Sequence, residues 1–136
     1  MPNFSEQITS LSIIDKLGNL TPVVYKNKNS INFRLSWIFL NVSMQNNAYT
    51  LQIEITNENH ETVFEGNTTI EINENSYAFK DFTHHKHKAY PYITSFEILK
   101  KTSAFKNLQI NKIYRLRMKL TNSNHTQDIY FLLKSL

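Results

Sequence analysis

Large apolar side chains fill every odd position from Ile31 to Phe39, and three of the four residues between them, Asn32, Arg34 and Ser36, are polar. Side chains on a β-strand point alternately to its two faces, so this run predicts a strand with one continuous apolar face. On a helix the same five residues would scatter around the whole circumference. The chain's single Trp, Trp37, lies within that face. We read the stretch as the central strand of an antiparallel sheet, with the rest of the chain covering its buried side.

The same alternation places most other elements. Tyr49, Leu51, Ile53 and Ile55 alternate with Thr50, Gln52, Glu54 and Thr56, which predicts a half-buried strand with a wet face. A turn at Asn57 to His60 sends Glu61 to Glu65 back as the second arm of a hairpin. Ile70 and Ile72 mark a further short strand, followed by Tyr77 and Phe79. Tyr92 to Leu99 reads as a strand buried on both faces or close to it, and Ser103 to Asn107 as one helical turn or a crossover loop. In the closing hairpin, Ile113 to Leu120 turns Tyr114, Leu116, Met118 and Leu120 inward and Arg115, Arg117 and Lys119 outward. A turn over Thr121 to Gln127 leads to the last strand, Asp128 to Leu133.

Two segments near the start are less regular. Phe4, Ile8, Leu11, Ile14 and Leu17 recur at three- and four-residue spacing and stop at Gly18, which fits an amphipathic helix. The same letters contain a β-rich run, Ile8 to Ile14, ending in a turn over Asp15 to Asn19. In a chain otherwise made of strands the strand reading is preferred. Pro22 to Tyr25 follows as a short edge strand, because Pro donates no ladder hydrogen bond. Seven to nine short strands with turn signals and no long helix predict an all-β fold, an antiparallel β-sandwich, as one domain over residues 1–136.

Composition narrows the function more than it fixes it. Hydrophobic residues make up 40% of the 136 positions and aromatics 12%, which argues for a packed core. A net charge of +4 with only 19% charged residues is a mild basic bias, compatible with polyanion contact but not built for it. The absence of Cys excludes disulfides, thiolate metal sites and a Cys nucleophile. No apolar run approaches the roughly 18–20 residues that span a bilayer, and no secretory signal is visible. A cytoplasmic location is the expectation; an extracellular one stays open.

The stretch Leu108 to Tyr114, continued by Leu116 and Met118, resembles the tyrosine corner of immunoglobulin-like and fibronectin type III sandwiches. There a Leu six residues before a Tyr opens the penultimate strand, and the Tyr hydroxyl ties back to upstream backbone. Leu35-Ser-Trp37 and Tyr49 to Ile53 resemble the Trp-bearing strand and its Tyr-bearing neighbour in the same superfamily. The resemblance covers about half of the chain and implies an immunoglobulin-like β-sandwich. Trp37 and Tyr114 stand farther apart than in a fibronectin module, and the usual Pro and Gly at the corner are missing. An insertion over roughly Glu65 to Tyr90 would reconcile the lengths.

Three groups of residues could carry function. His84, His85 and His87, with Lys86 and Lys88, sit in the most polar run of the chain. Imidazoles at that spacing can hold a transition metal, but no Cys or paired carboxylate stands nearby, so the run is read as a solvated loop with neither a metal site nor a cofactor. Tyr77, Phe79, Phe82, Tyr90 and Tyr92 gather around that loop and could anchor a protein or stack on sugars. Arg115, Arg117 and Lys119 form a basic stripe that could bind phosphates, or instead pair with acids such as Glu54 and Glu97.

No nucleophile elbow, phosphate loop or metalloprotease motif occurs, and no catalytic residue is assigned. The leading expectation is a non-enzymatic protein-binding accessory or adaptor, bacterial or phage-borne. It would use Tyr77, Phe82, His84, His85, His87, Tyr90 and Tyr92 together with an exposed sheet edge, which could also support a homodimer. Nucleic-acid or polyanion binding through Arg115, Arg117 and Lys119 ranks second and glycan binding third. No membrane partner is expected.

Overall fold

The computed structural model describes residues 7–40, 48–71, 89–121 and 124–136, with residues 89–91 described by their backbone alone. The alternating run of the sequence analysis becomes β3 (Ser30–Leu40), and its odd-numbered residues are all buried. One edge of β3 pairs antiparallel along its whole length with β6 (Ala89–Leu99). The other edge is shared: β1 (Gln7–Ile14) pairs with Arg34 to Leu40, and β2 (Val23–Lys26) with Ile31 and Asn32.

β2 continues the sheet in an unexpected way. It pairs in parallel with β8 (His125–Ser135), Val23 against Leu132 through Lys26 against Ser135. Beyond β8 come β7 (Lys112–Leu120), β4 (Ala48–Thr56) and β5 (Thr62–Glu71), all antiparallel. The eight strands therefore make a mixed sheet, which corrects the purely antiparallel expectation. β2 is also no edge strand, because it is bonded on both sides; Pro22 stands just before it, where a missing N–H costs no rung.

The sheet curls until strands that do not pair touch face to face. Phe39 on β3 meets Tyr49 on β4 at 5.7 Å between ring centroids, and Phe33 on β3 stacks on Phe131 of β8 at 6.3 Å. Trp37 lies between them, stacked on Tyr92 at 5.4 Å and edge-on to Phe39 at 5.9 Å. Inward residues of all eight strands join this cluster, together with Phe105 and Leu108 from the α1 (Ser103–Asn107) region.

β1 is a strand, and its helix-like spacing has a local cause. Thr9 pairs with Ile38 and Ser12 with Ser36, so Ser10 and Leu11 together stand against Trp37. This is a β-bulge, and Ser10 takes the left-handed conformation at φ 54°. The extra residue resets the alternation, which lets Ile8 and Leu11, three apart, both face the core.

Other expectations change in detail. β5 is one ten-residue strand rather than a short arm and a separate strand. β8 starts at His125, inside the expected turn. β6 has a buried and an open side rather than two buried faces, since Ile93 is 60% exposed.

Candidate functional site

Of the residues singled out for partner binding, Tyr77, Phe82, His84, His85 and His87 lie outside the described residues, and Tyr90 is described by its backbone only. Tyr92 is half-buried, its ring stacked on Trp37, so it belongs to the margin of the core.

The basic stripe does face outward, but its register gives it acids. Arg117 stands between Asp128 on β8 and Glu54 on β4, and Glu54 is followed by Glu65 on β5. The Arg117 guanidinium donates to both Asp128 oxygens, Nε to Oδ1 at 2.8 Å and Nη2 to Oδ2 at 3.0 Å. Arg115 donates from Nη2 to Thr56 Oγ1 at 3.2 Å and lies 4.0 Å from Glu54. Directly across the ladders only Arg117 meets acids; Arg115 faces Thr56 and Tyr130, and Lys119 faces Gln52 and Thr126.

The hydrogen bond from Arg117, then its charge, holds the Asp128 carboxyl below its ordinary value of 3.8, and the same bond raises Arg117. A carboxyl depressed in the folded state stabilises above its unfolded pKa and loses that contribution as pH falls through its folded pKa. Both side chains are about a third exposed, 37% and 33%, so solvent screening keeps the pair near 0.5–1 kcal/mol. Asp128→Asn should therefore lower stability by about that much near neutral pH. The gap should close on acidification below the ordinary carboxylate range, as denaturant midpoints across pH would show. A gap that stays constant into acid would mean that charge pairing is not the cause.

A concave site lies elsewhere, at the seam where β3 passes from one partner to the other. Ile14 of β1 is the last partner, opposite Arg34, and Tyr25 of β2 is the next, opposite Asn32. Between them the chain leaves the sheet and returns, opening a groove of about 610 Å³. Its floor is apolar, with Ile13, Ile14, Val24 and Phe33 all buried. Leu17, Tyr25 and Leu136 rise along its walls, respectively 86%, 51% and 82% exposed.

The turn that presents Leu17 is closely tied. Asp15 Oδ1 accepts the N–H groups of Leu17 and Asn19, each at 2.9 Å, and the Asp15 N–H donates to the Asn19 carbonyl at 2.9 Å. Gly18 sits at φ +85°, a conformation that a side chain would strain. A bridge between Ile14 and Leu20 closes the turn. Leu20, 76% exposed, then lines a smaller hollow on its far side with Pro22 and Tyr130.

A second groove, about 600 Å³, shares Asn27 and Leu136 with the first and carries Lys28, Lys106 and Gln109. Lys26 also borders it but is occupied. Its ammonium donates to the Leu108 carbonyl at 2.8 Å and sits 4.2 Å over the Phe105 ring. Arg34, half-buried in the first groove, takes part in neither ion pair found among the described residues. The paired grooves therefore offer apolar walls and unpaired cations.

Sequence reasoning missed Leu17, Leu20, Tyr25 and Arg34 as a group. The available signal was Leu17 in a turn segment, Asp15 to Asn19, where a large apolar residue has no core to enter. What joins them is pairing between segments far apart in the chain.

No known family's sequence profile matches the chain, and no curated protein matches it. Among solved structures it is similar to a presumed β-galactosidase from Bacteroides fragilis, with a TM-score of 0.54 and 12% identity over 93% of this chain and 17% of that one. It also aligns with a bacterial adhesin from Mobiluncus mulieris that contains intramolecular disulfide, isopeptide and ester cross-links. There the TM-score is 0.47 and the identity 10%, over 95% of this chain and 57% of that one, too distant to support an argument. The chain spans less than a fifth of the first protein, and likeness at 12% identity concerns the all-β fold alone.

Proposed function

We propose that this chain is an immunoglobulin-like β-sandwich domain acting as a non-enzymatic protein-binding module, with the seam groove as its contact surface. Two features support the fold reading. Dividing the sheet at β2 gives β1, β3 and β6 on one side and β8, β7, β4 and β5 on the other, with inner faces in contact. The Tyr114 hydroxyl also receives an upstream backbone N–H, that of Gln109, at 2.7 Å, as a tyrosine corner does.

The observation that carries the binding reading is the turn over Asp15 to Asn19, held by side-chain and backbone hydrogen bonds yet presenting Leu17 at 86% exposure. An apolar side chain carried on a backbone already ordered before a partner arrives leaves only its own rotamer freedom to lose on binding, so the contact area it covers translates more fully into affinity. A polyanion surface on β7 is less supported, because Arg115 and Arg117 already face Glu54 and Asp128.

The test is to pan a random peptide library on the parent chain and on a Leu17→Ser variant. Leu17 is exposed, so the variant should keep its melting temperature within a few degrees. Peptides that bind the parent and not the variant are the expected result. A panning that returns no binder dependent on Leu17 overturns the groove as the contact surface.

A further inference from the structure

We propose that the occupant of the seam groove is an extended acidic peptide segment that also carries large apolar side chains. This inference rests on the protein-binding reading above and adds the chemistry of the partner.

Charge is the first argument. Lys16 and Arg34 line the first groove, and Lys28 and Lys106 the second, which joins it through Asn27 and Leu136. Among the described residues Asp15 is the only acidic side chain along either, and one of its oxygens is committed to the Leu17 and Asn19 N–H groups. Lys26 is held by the Leu108 carbonyl and the Phe105 ring, so it is part of the wall. Four cations thus border two neighbouring grooves, and none of them is ion-paired among the described residues.

Arg34 is the most informative of these. It is half-buried beside Ile14 and Phe33, where a carboxylate would be partly withdrawn from water and its bond to a guanidinium strengthened. Lys16, Lys28 and Lys106 are exposed and would act chiefly on approach and register.

Shape is the second argument. The cations share the two grooves with Leu17, Tyr25 and Leu136, whose exposed apolar surface calls for leucine- or phenylalanine-sized groups beside the acids. β2 is already bonded on both sides, to β3 and β8, so a peptide beside it cannot add a strand there. Along β2, recognition therefore comes from side chains, which gives a demand on composition there rather than a general affinity for extended backbone.

The experiment uses the peptides recovered by the panning and one synthetic probe, a labelled peptide alternating Asp or Glu with Leu or Phe. Binding to the full chain is followed by fluorescence polarisation for the parent, for Arg34→Gln and for Lys16→Gln, with circular dichroism confirming that each variant is folded. We expect parent-specific binders enriched in acidic and large apolar residues, and about a tenfold loss of probe affinity in Arg34→Gln. The loss in Lys16→Gln should be smaller and should fade as salt rises.

Groove-dependent binders that are neutral or basic would overturn the acidic partner while leaving the protein-binding reading in place. An absence of groove-dependent binders would remove both. An oligonucleotide or an anionic lipid vesicle that binds more tightly than the probe, with the same dependence on Arg34, would overturn the peptide as occupant. So would concentration-dependent dimerisation of the parent that Leu17→Ser abolishes.

Discussion

Trp37→Ala is expected to remove about 3–5 kcal/mol of stability, a large share of what a domain of this size has. The residue is fully buried and touches every side of its surroundings that matters. Its ring stacks on Tyr92 of β6, meets the edge of Phe39 on its own strand, and lies opposite the Ser10–Leu11 bulge of β1. Truncation to Ala would leave a void bounded by three strands whose backbones are fixed by pairing, so little collapse can offset it. The denaturant midpoint should fall with the slope unchanged. Trp37→Phe makes the argument sharper. Among the described residues the indole Nε1 has no hydrogen-bond partner, and an unmet buried donor costs about 1–3 kcal/mol. Phe gives up ring volume but removes that donor, so its loss should be much the smaller of the two. If Ala and Phe were equally destabilising, cavity formation would not be the reason for either.

The centre of this fold was legible because one periodicity sufficed. β3, β4 and β7 each alternate without a break, and each buries the face that the alternation names. Where a single residue disturbed the phase, the reading divided. The bulge at Ser10 gives β1 the spacing of a helix, and nothing in the letters distinguishes an extra residue in a strand from a turn of helix. Pairing was less legible than the strands themselves. That β2 joins β8 in parallel depends on where the chain returns after more than a hundred residues, which local patterns do not encode. The groove has the same origin, since Leu17, Tyr25 and Arg34 meet only because β3 changes partner at Phe33. The basic stripe shows both sides of this. Its outward face follows from alternation, whereas the acids that meet it, Glu54 and Asp128 rather than Glu97, are set by a register that the letters do not carry.

Tyr114→Phe is the second large expected effect, and it tests the corner directly. The ring would stay in place, buried and stacked on Phe131 at 5.7 Å, so apolar burial is conserved and any change belongs to the hydroxyl. That oxygen accepts the Gln109 N–H at 2.7 Å and lies within 3.5 Å of the Asn107 and Gln109 carbonyls. Phe would leave the N–H without its partner at a part-buried position, at a cost of about 1–3 kcal/mol. For a chain of this length that amounts to a melting-point drop of roughly 3–5 °C per kcal/mol. The bond also fixes the segment leaving α1, whose Lys106 and Gln109 line the second groove. Hydrogen exchange should therefore quicken at Gln109 first, ahead of β7 and β8, because the loss is local before it is global. Protection at Gln109 equal to the parent's would show that the hydroxyl does not hold the corner. If protection is lost while acidic-peptide affinity is unchanged, the segment would be shown to stabilise the fold without shaping the groove. Loss of both would tie the two together, since a loosened corner would leave Lys106 no fixed place from which to meet a carboxylate.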